Sequence, residues 1–217
     1  MSLPVIIIGA GGHAAVVADA LLASGARVLG FTDRDPASHG SSRCGLPVLG
    51  DDTVLGRHTP QTVALANGIG GVGARAGDAL RREVHRALAG RGWRFVGMRH
   101  PSAIVSPFAR LGGAVQLHAG SIVQPDAEVG EGCIVNTGAV IEHDAQIGAW
   151  CHVAPGALVC GNVSIGARCH IGAGAIVRQG IRLADDTVVG AGAVVVEDCP
   201  TGCVLVGVPA RRMERSA

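Results

Sequence analysis

His143 is followed directly by a carboxylate in Ile141-Glu142-His143-Asp144. An acid beside an imidazole holds it in one tautomer and raises its basicity, which is what a general base needs to take a proton from an amine or a hydroxyl. Gly161 lies 18 residues further on. In a chain that repeats with that period, its N–H stands at the same corner one coil along, a candidate donor to an oxyanion. His152 and His170 share that spacing. A second chemistry is written near the start, where Gly9-x-Gly11-x-x-Ala14 meets the dinucleotide fingerprint and Gly12 and His13 follow its second glycine. Such glycines let a phosphate approach a helix N-terminus, with His13 placed to donate to a phosphate or sugar and Asp33 to meet a ribose or a base. Plainer readings stand beside these: an inert surface histidine, glycines that serve only a tight turn, a solvated His13, and a solvated His152/His170 pair with no role.

Two kinds of element must position these groups. Val5-Ile6-Ile7-Ile8 is an apolar run suited to a buried parallel strand, and the stretch from Ala14 to Ala23 reads as a helix. Further strands are expected at Val28 to Phe31, Thr62 to Ala66 and Arg94 to Val96, with a helix from Asp78 to Ala89. This predicts a small Rossmann-like α/β domain over residues 1–101, half of a dinucleotide fold, with room for one nucleotide and whatever it carries.

From Val105 to Val195 every sixth residue is a branched aliphatic, sixteen positions in all, and the series fails at Arg99 and Thr201. Two residues before each aliphatic the side chain is nearly always small, and Gly often follows. This is the hexapeptide signature of a parallel β-helix, a short strand that turns a corner every six residues. Residues 102–200 therefore form an all-β solenoid in which residues 18 apart stack, with residues 201–217 as a tail or cap. Cys133, Cys151 and Cys169 fall in one interior column, as small apolar fillers rather than nucleophiles. His143 sits at a corner and His152 on a flat face. The strand between them spans roughly 20 Å, so a site using both needs a second subunit.

Composition excludes several classes. The chain contains no Lys, which removes Schiff-base and P-loop lysines. A net charge of +1 and only 2% aromatic residues leave neither a basic field nor stacking platforms for nucleic acid. Charge, Gly or Pro interrupts every apolar run short of a membrane span. Without a basic leader at Met1 to Pro4, and with seven Cys in no Cys-x-x-Cys, the expectation is a cytoplasmic protein with reduced thiols. A zinc site from His118, His143 and His152 lacks ligand-type spacing.

Taken together, Gly9-Ala10-Gly11-Gly12-His13, His100-Pro101-Ser102-Ala103, Ile141-Glu142-His143-Asp144, Cys151-His152-Val153, Gly161-Asn162-Val163 and Gly207-Val208-Pro209-Ala210-Arg211 resemble a known family. These are the hexapeptide acyltransferases that N-acetylate nucleotide-linked amino sugars, such as UDP-linked 4-amino sugars of the bacillosamine type or GDP-perosamine, with relatives that O-acetylate sialic acid. The resemblance implies a left-handed β-helix, a homotrimer and acetyl-CoA as donor, with no metal. It implies that His143 is the general base, with Asp144 where the best-known members have Glu, and that Gly161 is the oxyanion donor. His152 is similar to a residue that contacts acetyl-CoA, and Ala173 and Ala191 to backbone contacts along the pantetheine arm. Asn136 resembles a residue near the acceptor amine, while Gly11, Gly12, His13, Asp33, Arg34 and the Gly68 region resemble nucleotide-sugar contacts.

The function expected is thus N-acetylation of a UDP- or GDP-linked 4-amino-4,6-dideoxyhexose for surface polysaccharide or glycan synthesis. Three alternatives remain at this point: a sugar O-acetyltransferase, a zinc-dependent hydratase resembling γ-carbonic anhydrase, and a non-catalytic nucleotide-sensing scaffold.

Overall fold

The computed structural model describes residues 3–71, 77–200 and 202–213. Met1 and Ser2, and Thr201 with residues 214–217 of the expected tail, lie outside the described residues. The chain divides into two compact units, 1–101 and 102–217.

The first unit is a five-stranded sheet in the order β3-β4-β2-β1-β5, built from β1 (Val5–Ile8), β2 (Val28–Thr32), β3 (Ser42–Arg43), β4 (Leu46–Gly50) and β5 (Ala64–Asn67). All pairings are parallel except β3 with β4. Because side chains alternate along a strand, β1 feeds two cores. Val5 and Ile7 pack with Ala14, Val17 and Leu21 of α1 (Gly12–Ala23), while Ile6 and Ile8 pack with Val84 and Leu88 of α2 (Gly77–Gly90). The chain leaves β1 to one side for β2 and returns to its other side for β5, which makes the carboxyl ends of β1 and β5 a topological switch point.

Three expectations need adjustment here. The strand expected from Thr62 begins at Ala64, where Val63 still closes a turn onto Thr59. The strand expected at Arg94 to Val96 is a single bridge from Phe95 to Leu65, held by two backbone bonds of 2.9 and 2.8 Å. The β3–β4 hairpin was not anticipated. Its cue is the two-residue turn Cys44–Gly45, whose φ values of 50° and 72° suit a type I′ turn, and Pro47 masked the strand pattern that follows.

The second unit is a left-handed parallel β-helix. Two-residue strands recur every six residues from Ile104–Val105 to Val194–Val195, and each pairs with the strand 18 residues away, as Val140 does with Leu158 and His152 with His170. The aliphatic series lines the interior: Leu117 through Val195 are buried, whereas Leu111 in the first coil is 41% exposed. At many corners the second residue has positive φ, and where it is not Gly it is often Asp or Asn, as at Asp126, Asp144 and Asn162, types that tolerate this region. The interior thiols do more than fill space. Cys133, Cys151 and Cys169 donate to the carbonyls of Gly148, Gly166 and Ala184 at 3.1, 3.0 and 3.2 Å. Hydrogen bonding with Cys133 and Cys169, and then burial, hold the Cys151 thiol well above its ordinary pKa, which disfavours the thiolate form. Past the last coil, Val204–Val206 adds one more parallel strand and Arg211–Arg212 folds back antiparallel upon it. The tail therefore joins the sheet and places Cys203 and Leu205 in the core.

Candidate active site

His143 stands at a corner because the chain turns there between Val140–Ile141 and Gln146–Ile147. Its Nδ1 lies 2.7 Å from Oδ2 of Asp144, and both side chains are more than half exposed. The φ of 59° at Asp144 is one that Asp adopts readily, and its short arm closes the bond. That hydrogen bond, above all, raises the His143 pKa; the charges of Asp144 and Glu142 add to it, and desolvation opposes it. Because Asp144 accepts the Nδ1 proton, Nε2 carries the free lone pair of the neutral ring.

Gly161 lies under that ring. A Cβ there would come within 2.7 Å of both Cε1 and Nε2 of His143, so only glycine leaves the imidazole in place. The Gly161 carbonyl accepts from Gly180, but its own N–H donates to no backbone carbonyl among the described residues. The corner thus joins a basic nitrogen and an uncommitted N–H, the two parts an acyl transfer needs.

His152 points outward from its strand yet is buried, at 7% exposure, so the solvated-pair reading does not hold for it. Its ring meets His170 edge to face at 5.0 Å, and its Nε2 lies 3.1 Å from Nδ2 of Asn136. Asn136 Oδ1 accepts the Thr137 N–H at 2.8 Å. A backbone N–H only donates, so that atom is the oxygen, Nδ2 faces the histidine, and Nε2 of His152 is the acceptor of a neutral ring. The structure therefore couples Asn136 to His152, two residues assigned separately from the sequence. Ala173 and Ala191 occupy a third, exposed corner, and neither N–H is used by a backbone carbonyl among the described residues. Among those residues, too, no group of three or more His, Cys, Asp or Glu is arranged to hold a metal ion, and His118 is fully buried.

In the first unit, Gly11 is the N-cap of α1, without a side-chain cap or an acid in the first turn. Its φ of −74° does not require glycine, and a Cβ on Gly11 or Gly12 would meet nothing within 4 Å. Their bareness serves neither backbone nor packing, and it leaves the helix N-terminus open to an anion. Gly68 differs: a Cβ there would strike Ile7 and Ala14 at 2.6 and 2.7 Å, so packing of β5 against β1 and α1 accounts for it. Asp33 accepts the N–H groups of Ala10 at 3.0 Å and Asp35 at 2.9 Å, which ties the end of β2 to the glycine turn. Arg34 beside it is exposed, and His13 is half-buried in the first helical turn. Sequence reasoning missed Arg43, whose Nη1 donates to the Ala10 carbonyl at 3.0 Å. It arrives on the unanticipated hairpin.

The family described as PglD N-terminal domain matches residues 4–77. The bacterial transferase hexapeptide (six repeats) matches residues 126–161, and the hexapeptide repeat of succinyl-transferase residues 162–197. No curated protein matches the chain. Among solved structures, PerB from Caulobacter crescentus in complex with CoA and GDP-perosamine is 40% identical, with a TM-score of 0.87 over 97% of each chain. The acetyltransferase domain of PglB from Neisseria gonorrhoeae FA1090 is 34% identical, with a TM-score of 0.88 over 98% of this chain and 100% of that one. WeeI from Acinetobacter baumannii AYE, 23% identical, shares the fold with a TM-score of 0.86 over 98% of this chain and 100% of its own. With 34% and 40% identity across almost the full length of both partners, this chain belongs to the hexapeptide-repeat nucleotide-sugar N-acetyltransferases, enzymes that use acetyl-CoA.

Proposed function

We propose that the enzyme acetylates the amino group of a nucleotide-linked 4-amino-4,6-dideoxyhexose, with a GDP-linked sugar such as GDP-perosamine as the first candidate. The observation that carries this is the His143–Asp144 pair above a bare Gly161, in a chain 40% identical to a protein crystallised with CoA and GDP-perosamine. Nε2 of His143 takes a proton as the sugar amine attacks the thioester carbonyl. The Gly161 N–H meets the developing oxyanion, and the sulfur departs as a thiolate. His152, Ala173 and Ala191 contact the acetyl-CoA, and Asn136 lies near the acceptor amine. Gly11, Gly12, His13, Asp33 and Arg34 receive the nucleotide, with Gly68 shaping the turn behind them. Seven free thiols support a reducing, cytoplasmic setting.

The working unit is a homotrimer. Outward positions on the three faces support this. One carries Arg110, Glu128, Gln146, Ser164 and Arg182, while another carries only Ile104, Ile122, Val140, Leu158, Ile176 and Val194. None of those six aliphatic residues is fully buried in the single chain. An apolar strip of this length, lying between the His143 corner and the Ala173 corner, suits a second copy of the solenoid, whose far corner completes the site.

Two measurements test the proposal. Thiol release from acetyl-CoA should occur with a GDP- or UDP-linked 4-amino sugar, and silence across both panels would refute the activity. Sedimentation should give a trimer that Ile176→Arg dissociates with loss of turnover. A monomer with full turnover would refute the shared site.

A further inference from the structure

Arg43 closes β3 immediately before the Cys44–Gly45 turn and pairs with Leu46 of β4. Since β4 is bound in turn to β2, the arginine is delivered by the sheet and not by a loose loop. Its Nη1 bond to the Ala10 carbonyl, 3.0 Å long, reaches the glycine turn across 33 residues of sequence. Guanidinium has five N–H donors, and Arg43 has no ion-pair partner among the described residues. The acid at this turn, Asp33, is committed on both oxygens to backbone N–H groups, and the first turn of α1 contains no acid. The lip of the turn therefore holds an anchored cation, an uncapped helix N-terminus, and two glycines whose missing Cβ atoms leave open space. The cation and the helix N-terminus both favour an anion, and the two glycines leave it room.

Resting on the reading of this turn as the nucleotide-sugar site, we propose that Arg43 binds the diphosphate of that sugar. One nitrogen stays on the Ala10 carbonyl and the rest of the fork turns to the phosphate oxygens. Arg43 then sets the affinity for the nucleotide without taking part in acetyl transfer.

The test compares Arg43→Gln and Arg43→Lys with the unmodified enzyme, using GDP, UDP and the corresponding nucleosides guanosine and uridine as probes in calorimetry and competition assays. Losing charge-assisted bonds of this kind should weaken diphosphate binding about 10- to 100-fold in Arg43→Gln. Nucleoside binding, the acetyl-CoA KM and the melting temperature should stay as they are. The KM for the amino sugar should rise at nearly constant kcat, and Arg43→Lys should recover part of the affinity because it keeps the charge. Diphosphate affinity unchanged in Arg43→Gln, or lost in equal proportion with nucleoside affinity, overturns the role of Arg43 while leaving the nucleotide site intact. If the unmodified enzyme binds neither GDP nor UDP, the nucleotide reading of the turn falls, and the proposal falls with it.

Discussion

The corner at His143 and the turn at Gly11 both depend on glycine, for opposite reasons. At the corner, the protein itself occupies the space that Gly161 leaves, with the His143 ring 2.7 Å from where a Cβ would be. At the turn, nothing of the protein lies within 4 Å of the Cβ positions of Gly11 and Gly12. One glycine makes room for a side chain that does chemistry, and the others make room for a molecule that is not protein. Damage at the corner should therefore fall on kcat, and damage at the turn on the KM of the nucleotide sugar.

The largest expected effect is His143→Ala, which should lower kcat by about 10²- to 10⁴-fold, the usual worth of a positioned base. The ring is exposed and the fold rests on the interior aliphatics, so melting temperature and acetyl-CoA affinity should persist. High pH should partly rescue an amine acceptor, which is already a fair nucleophile when neutral. Near-normal turnover at neutral pH would move the base elsewhere.

Gly161→Ala sharpens the same comparison by shifting the base without replacing it. The added methyl must displace the imidazole, and misplacing a catalytic group by about 1 Å can cost on the order of 10²-fold. Stopped-turnover assays should find the loss in kcat, with the nucleotide KM unmoved. At the turn, Gly11→Val has space on the protein side and an allowed φ. It should fold with at most about 1 kcal/mol lost from the helix cap and raise the nucleotide-sugar KM roughly tenfold or more by blocking backbone approach. Equal losses toward both substrates would erase the division between the two regions.

Asp144→Asn should act more gently. In the native enzyme the Asp144 bond raises the His143 pKa, so the neutral, basic ring is lost as pH falls through that raised value. Without the carboxylate the acid limb of kcat/KM should move to lower pH, toward the ordinary histidine value of about 6.5, while the plateau drops about tenfold because the base is weaker and less well oriented. A limb that stays in place would mean that another group controls it. The smallest effect belongs to Asn136→Asp, which exchanges the Nδ2 donor for an acceptor and should force a proton onto Nε2 of His152. NMR of labelled histidine should report the changed tautomer or charge, with a several-fold rise in the acetyl-CoA KM at most. An unaltered His152 spectrum would contradict the coupling.

Much of this molecule could be read from its sequence because much of it is periodic. Each six-residue step from Val105 to Val195 repeats one local solution, so register, corners and the stacking of His143 over Gly161 follow from counting. The Val5 to Ile8 strand and the helix after Gly11 were legible for a related reason, a run of apolar residues broken by glycines. The β3–β4 hairpin was not. Its strands are short, Pro47 obscures one of them, and its turn begins with Cys44, a residue type with no special leaning toward positive φ.

The sequence alone determined the solenoid, the βαβ core and the chemistry offered by His143 and Asp144, since all three are set by neighbours within one or two repeats or turns. Only the tertiary structure decided which contacts close across distance. It tied Arg43 to Ala10, engaged both oxygens of Asp33, made Asn136 a donor to His152, and buried that histidine although it points outward. The physical reason is that a strand pattern reports which face a residue takes, whereas hydrogen bonds between side chains and distant backbone depend on three-dimensional placement, to which residue spacing is blind.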